Sequence, residues 1–451
     1  MPRIFPPLTL VVSLLLVLSG FTILAQNATT PEVLDLQKAI SMALEHNRQV
    51  LSAGLDVGKT SDELSAAKTH YYPAFNVSIL GSQLLSTVDF TFQKGIFGTY
   101  PGIGPVPGTD TSIVTPKQPI AYIVGSVQQS LTDLYKIKLN TDLLKSSIDE
   151  KKQAEREQRH ETVNNVKKVY YGVLQNQSSL QYSEQQVKLY EELQRITDNY
   201  VAEQTALKTD SLQVQTRLAK ARYDVLAAQD DLATQREQLN ILMGRDIRTE
   251  FGVNPVPEEA EWEQNLEAAQ NIAIEHRPEL QQAAAKLKEA EYDRRIKKSE
   301  YIPQVAVSFN YVSPQGIEVV PTTIMGIGLL FTWDIYDWGR KSSELAEKSK
   351  TIEQAKLSLT ETESRILLDV NTQYRKLKES RQLIQVAKLG QDTAEENLRV
   401  VTDKYKQQSA LLKEVLQAQT TLEENRNQYQ DALLSFWAAR ADFEQSLGED
   451  Q

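Results

Sequence analysis

The stretch Leu411-Leu-Lys-Glu-Val-Leu-Gln-Ala-Gln-Thr-Thr-Leu-Glu-Glu-Asn425, continued to Phe443, decides the fold. Leu411, Val415, Ala418, Leu422, Asn425, Tyr429, Ala432, Phe436, Ala439 and Phe443 follow at alternating intervals of four and three residues. A period of 3.5 is the seam of helices that wrap on one another. Ala418, Asn425, Ala432 and Ala439 are small or polar, which lets neighbouring helices approach closely.

The stretch occurs twice. Leu207, Val214, Leu218, Ala221, Val225, Ala228 and Leu232 each precede a member of the later seam by 204 positions. Earlier landmarks repeat at another offset. Ala39, Ala43, Glu45 and His46 recur as Ala269, Ala273, Glu275 and His276, and Tyr71 and Pro73 recur as Tyr301 and Pro303, 230 positions on. The first copy therefore carries 26 more residues, the difference between 230 and 204. The Gly/Pro-rich connection Gln93 to Pro119 accounts for them.

The chain has 451 residues, a net charge of -11 and no cysteine. With no basic stripe, a nucleic-acid partner is not expected. Disulfides, thiolate metal sites and a Cys nucleophile are excluded. Residues 1–25 read as a secretory signal: Arg3, an apolar run from Leu8 to Leu18, and a small residue at Ala25. No later segment reads as a membrane-spanning helix.

Residues 26–244 form the first repeat and 262–447 the second, with a Pro-containing linker at 245–261 between them. Val33 to His70 reads as helix. The period then changes from 3.6 to 2, with strands expected at about 74–92 and 120–131. Long helices follow at about 134–200 and 208–243. In the second repeat the strands are expected at about 304–312 and 322–333, and the helices at about 337–405 and 411–447. A helix of ~65 residues is ~100 Å long, more than a compact domain needs.

Each repeat thus reads helix, strand, strand, long helix, turn, helix. The strands have the length and alternation of a bilayer-spanning β-barrel. Val305, Val307 and Phe309, then Met325, Ile327, Leu329, Phe331 and Trp333, form the face expected to meet lipid. Gly326, Gly328 and Thr332 lie on the face expected to meet the lumen. Four strands cannot close a barrel, and lipid tolerates no open sheet edge, so the chain must oligomerise. The pattern alone allows two, three or more copies.

Taken together, this duplicated plan resembles the TolC-like outer-membrane efflux protein family. The motifs are Tyr71-Tyr-Pro73 and Tyr301-Ile-Pro303 before strands, Asp334-Ile-Tyr-Asp-Trp-Gly-Arg340 at a strand-to-helix junction, and Asp210-Ser-Leu-Gln and Glu414-Val-Leu-Gln after the helical turns. The resemblance covers essentially the whole mature chain. It implies a mainly α fold completed by a transmembrane β-barrel: a homotrimeric tunnel with twelve strands in the Gram-negative outer membrane and twelve helices across the periplasm. It also implies docking to a periplasmic adaptor (membrane fusion protein) and an inner-membrane pump, in tripartite efflux or type I secretion. Two departures stand out. Glu203 and Gln408 lie near turn positions where many members have Gly. Ala410, Glu414 and Gln417 stand where the best-known members place an Arg and two Asp, unlike an arginine–carboxylate lock.

The two helical reversals farthest from the strands converge at one end of a closed ring. Tyr200, Asp210, Tyr405 and Glu414 are therefore the candidates for a periplasmic entrance, and the resemblance points there chiefly through Tyr405 and Glu414. Carboxylate rings favour cations in a pore.

No catalytic constellation, cofactor motif or metal site is expected. Gly54-Leu-Asp-Val-Gly-Lys-Thr60 has three residues between its glycines where a phosphate loop needs four. His160-Glu161 lacks the second His of a zinc-binding helix. His46 and His276 are repeat-equivalent, which suggests packing. A passive duct fits best. A structural periplasmic coiled-coil tether explains the seams but not the strands. An adaptor protein usually has one hairpin, not a duplication.

Overall fold

The computed structural model describes residues 32–255, 265–317 and 320–449. The expected signal segment and part of the expected linker lie outside them.

The first repeat runs β1 (Glu32–Leu34), α1 (Leu36–His46), α2 (Arg48–Thr69) and β2 (Ala74–Gln83). The helix expected from Val33 to His70 is thus broken. Asn47 is extended, its side chain accepts hydrogen bonds from the Gln49 and Val50 amides, and its Nδ2 donates to the Leu242 carbonyl at 2.9 Å. An Asx N-cap inside the helical pattern starts a second helix at a new angle.

The strand expected at 74–92 also divides. After β2 the chain forms β3 (Val88–Phe92), β4 (Thr99–Tyr100), β5 (Gly104–Pro105) and β6 (Thr111–Thr115), and then β7 (Pro119–Ser130). β3 pairs with β6, and β4 with β5. The 26 extra residues therefore belong to a hairpin that rises beyond the main sheet. Glycines with positive φ and an Asp110 side chain accepting from the Lys94 amide shape its tip.

Next come α3 (Asp133–Ala202), α4 (Lys208–Leu242) and β8 (Phe251–Val253). α3 has 70 residues, or about 105 Å at 1.5 Å per residue. β8 lies in the region expected to be linker. It pairs in parallel with β1, and the buried Tyr170 hydroxyl from α3 reaches the Leu34 and Asn254 carbonyls at 3.0 and 2.9 Å. Three distant segments meet there.

The second repeat runs α5 (Leu266–His276), α6 (Pro278–Ser299), β9 (Gln304–Gln315), β10 (Ile324–Thr332), α7 (Arg340–Lys406) and α8 (Leu412–Leu447). α7 opens at Arg340, three residues after Asp337. Trp338 and Gly339 both have positive φ, so the chain makes a left-handed turn there. The Asp337 carboxylate holds it, accepting from the Gly339 and Lys341 amides.

Two cores form. One, around the middle of the long helices, gathers Leu34, Tyr170, Leu239, Phe251, Val370, Phe436 and Phe443. The other, at the helical tip, gathers Tyr190, Leu193, Val214, Tyr405 and Val415. Most seam residues of α8 are buried, and Val415, Phe436, Ala439 and Phe443 belong to these two cores. The long helices lie in the order α4, α3, α8, α7. The flanks of α4 and α7 stay open and carry exposed Tyr223, Leu226, Leu357, Leu368 and Leu389.

The duplication is visible in two glycines. Gly244 and Gly448, 204 positions apart, end the returning helices α4 and α8 with positive φ. A Cβ on Gly244 would lie 2.2 Å from the His46 carbonyl oxygen, and one on Gly448 2.9 Å from the Arg277 backbone. Each repeat thus locks its returning helix against the break between its two short helices, where His46 and His276 sit.

Candidate functional site

The strand-built end is one antiparallel sheet in the order β10-β9-β7-β2. Residues directly opposite each other on antiparallel strands share a face. Phe75, Val127, Phe309 and Ile327 form one cross-strand row, and Val77, Gly125, Tyr311 and Met325 the next. Val305 with Phe331, and Val307 with Leu329, extend that face. The seven residues of the expected lipid face that lie within β9 and β10 therefore share one side; Trp333 follows the end of β10. Ile327 is 80% exposed and Leu329 76% in the single chain, so an apolar surface of this size lacks a cover.

The opposite face differs. Two adjacent rows are polar, Asn76, Ser126, Asn310, Gly326 and Ala74, Gln128, Ser308, Gly328. They are flanked by more apolar rows, Ser78, Val124, Val312, Ile324 on one side and Ala306 with Leu330 on the other. The edges β2 and β10 each have one paired side. The sheet joins the helices rigidly: Leu131 donates its amide to the Val305 carbonyl, and Val305 donates to Thr132 Oγ1 at the start of α3.

At the helical tip the two reversals are built alike. Gln204 and Gln408 adopt φ of 60° and 59°. Thr205 and Ser409 each bond, through amide and hydroxyl, to the carbonyl five residues earlier. The chain thus reverses without the glycine common in such turns.

The structure brings Tyr200 and Tyr405 together, edge to face at 5.7 Å. Tyr405 is 5% exposed. Its hydroxyl lies 3.0 Å from Thr197 Oγ1, and Tyr200 donates to the Lys406 carbonyl at 3.2 Å. Burial pushes the Tyr405 phenol up from its ordinary pKa, against the Thr197 hydrogen bond. Tyr405 thus packs α7 onto α3, and Tyr200 is the less buried of the pair.

Asp210 and Glu414 are not brought to these tyrosines by hydrogen bonds. Each caps its own returning helix, accepting from the Leu207 and Leu411 amides at 3.2 Å. The leucines at the caps have no side-chain oxygen, so only the carboxylate arm of a capping box is present.

Sequence reading missed Thr197 and Asp198. Asp198 accepts from Gln194 at 2.8 Å and from Ser211 at 2.5 Å. These bonds hold its carboxyl below the usual carboxylate range. The available signal was spacing: Tyr190, Leu193 and Thr197 also follow a three-four seam.

The sequence matches the family described as outer membrane efflux protein over residues 39–245 and 269–449. The chain belongs to that family. The two matched stretches correspond to the two repeats seen in the fold. No curated protein matches the sequence. Among solved structures, CusC aligns with a TM-score of 0.75 at 15% identity, covering 92% of this chain and 92% of that chain. The CmeC outer membrane channel of Campylobacter jejuni gives 0.75 at 14%, covering 92% and 85%. VceC, an outer membrane protein of Vibrio cholerae, gives 0.71 at 14%, covering 92% and 96%.

Family membership makes this efflux protein an outer-membrane channel, and the relatives are channels rather than enzymes. The TolC-like fold expected from sequence is present, mainly helical with a smaller sheet. Among the described residues no helix is long and apolar enough to cross a membrane, and no cluster of ligands could hold a metal.

Proposed function

We propose that three copies of this chain close into one passive duct from periplasm to exterior. A four-stranded sheet with two open edges, one apolar face and a polar band across the other carries this reading. Lipid leaves no strand edge unsatisfied. β2 of one subunit pairs with β10 of the next, giving twelve strands. The open flanks of α4 and α7 meet in the same way and make a twelve-helix tunnel. Val305, Val307, Phe309, Met325, Ile327, Leu329, Phe331 and Trp333 face lipid.

The energy for export comes from partners: an inner-membrane pump, reached through a periplasmic adaptor that docks at the helical end. There Asp210, Glu414 and Tyr200 surround the entrance, and Tyr405 holds the hairpins that carry them.

Mass measurement of the detergent-solubilised protein tests this reading. A trimer of the processed chain that conducts in planar bilayers is the expected result. A stable monomer sinks both the barrel and the tunnel.

A further inference from the structure

Charged residues make up 24% of this chain, yet β2, β7, β9 and β10 contain no Asp, Glu, Lys, Arg or His on either face. On the apolar face lipid explains this, because charge at mid-bilayer is costly. On the other face it does not, because a water-filled lumen solvates charge and lumen residues tune selectivity. What stands there instead is a two-row polar band, Asn76, Ser126 and Asn310 in one row and Gln128 with Ser308 in the next. It is bordered by Val124, Val312 and Ile324 on one side and Ala306 with Leu330 on the other. Asn310 Nδ2 reaches Ser308 Oγ at 3.4 Å, so the rows touch.

Amides and hydroxyls both donate and accept. Their oxygens solvate cations, and their N–H and O–H groups solvate anions. We propose that the strand-built end is a charge-neutral hydrogen-bonding belt that passes hydrophilic solutes of either charge sign, with Asn310 at a position where one charge per subunit sets selectivity. This rests on the duct reading, and adds to it that charge selection is confined to the helical end.

The test uses the full-length protein in planar bilayers under a potassium chloride gradient. Recording near 0.01 M salt extends the Debye length to ~30 Å, so a charge on the wall acts across the lumen. Asn310→Asp should move the zero-current potential toward cation selectivity, and Asn310→Lys toward anion selectivity by a comparable amount, both in assembled trimers. Phe309→Asp, one residue over on the apolar face, should fail to assemble.

Conducting Asn310 variants with an unchanged potential overturn the proposal. So do shifts in the same direction, or a shift from only one of the two, because a neutral belt responds to both signs. Loss of assembly in Asn310→Asp also overturns it, since that places Asn310 in lipid. A wild-type protein that forms no channel fails earlier and removes the duct reading itself.

Discussion

The Tyr405 hydroxyl lies 3.0 Å from Thr197 Oγ1, and the two residues are buried on different long helices 208 positions apart. This contact crosses between the two repeats at the tip, where each helix reverses. Tyr405→Phe removes the bond and keeps the ring, at about 0.5–1.5 kcal/mol. Tyr405→Ala also empties an aromatic site, at roughly 3–5 kcal/mol by analogy with other aromatic truncations. Hydrogen exchange at 190–215 and 400–416 should rise slightly in the first variant and strongly in the second. Conductance of the closed state should rise in the second. Equal protection in both would show that the ring carries no packing.

Gln204 and Gln408 occupy left-handed backbone that non-glycine residues reach at a cost of ~1–2 kcal/mol. Gln408→Gly relieves that cost but adds unfolded-chain entropy of ~0.5–1 kcal/mol. The net gain should be at most about 1.5 kcal/mol. Gln408→Val should lose stability. The order Gly above Gln above Val in apparent melting temperature is the expected outcome.

Gly244→Ala forces a Cβ against the His46 carbonyl and places Ala at positive φ. The loss should be at least about 2 kcal/mol. Gly58→Ala is the matched control, since Gly58 lies within α2 with nothing within 4 Å of its added Cβ. It should gain roughly 0.5–1 kcal/mol from helix propensity. Thermal unfolding in detergent would show opposite shifts.

Leu329 pairs with Val307 on the apolar face, and Thr332 with Gln304 on the other. Leu329→Arg should cost ~2–4 kcal/mol if it lies at mid-bilayer, and deplete the oligomer in outer-membrane fractions. Thr332→Arg should assemble better and change conductance. Identical oligomer yields would mean that the face assignment is wrong.

Lys167 Nζ lies 2.6 Å from Glu444 Oε2. Burial alone would raise the Glu444 carboxyl, but Lys167 and Arg440 outweigh it and hold the group below its ordinary range. A depressed folded pKa stabilises fully above the unfolded value, ~4.3 for Glu. That stability is lost as pH falls through the lower folded value. Glu444→Gln should therefore flatten the fall in apparent melting temperature below about pH 4, and cost about 1–3 kcal/mol at neutral pH. An unchanged acid limb would remove the pair from the account.

Local periodicity exposed the elements of this fold. The three-four seams on α4 and α8, the alternation in β9 and β10, and the offsets of 204 and 230 are all written in residue order. The face shared by Phe309, Ile327 and Leu329 was legible because side chains alternate along any strand. Breaks were harder. Asn47 reads as an ordinary helical residue until its side chain reaches Leu242. Val88 to Phe92 reads as a continuation of β2 until its partner proves to be Thr111 to Thr115.

By itself the sequence determined the duplication, the helix and strand types and the apolar faces, because each depends on neighbours within a few residues along the chain. Only the tertiary structure decided that Tyr405 turns inward onto Thr197 and that β1 and β8 meet at Tyr170. The partners of Tyr405 and Tyr170 lie 84 to 208 positions away, and packing, not periodicity, chooses which of them each side chain touches.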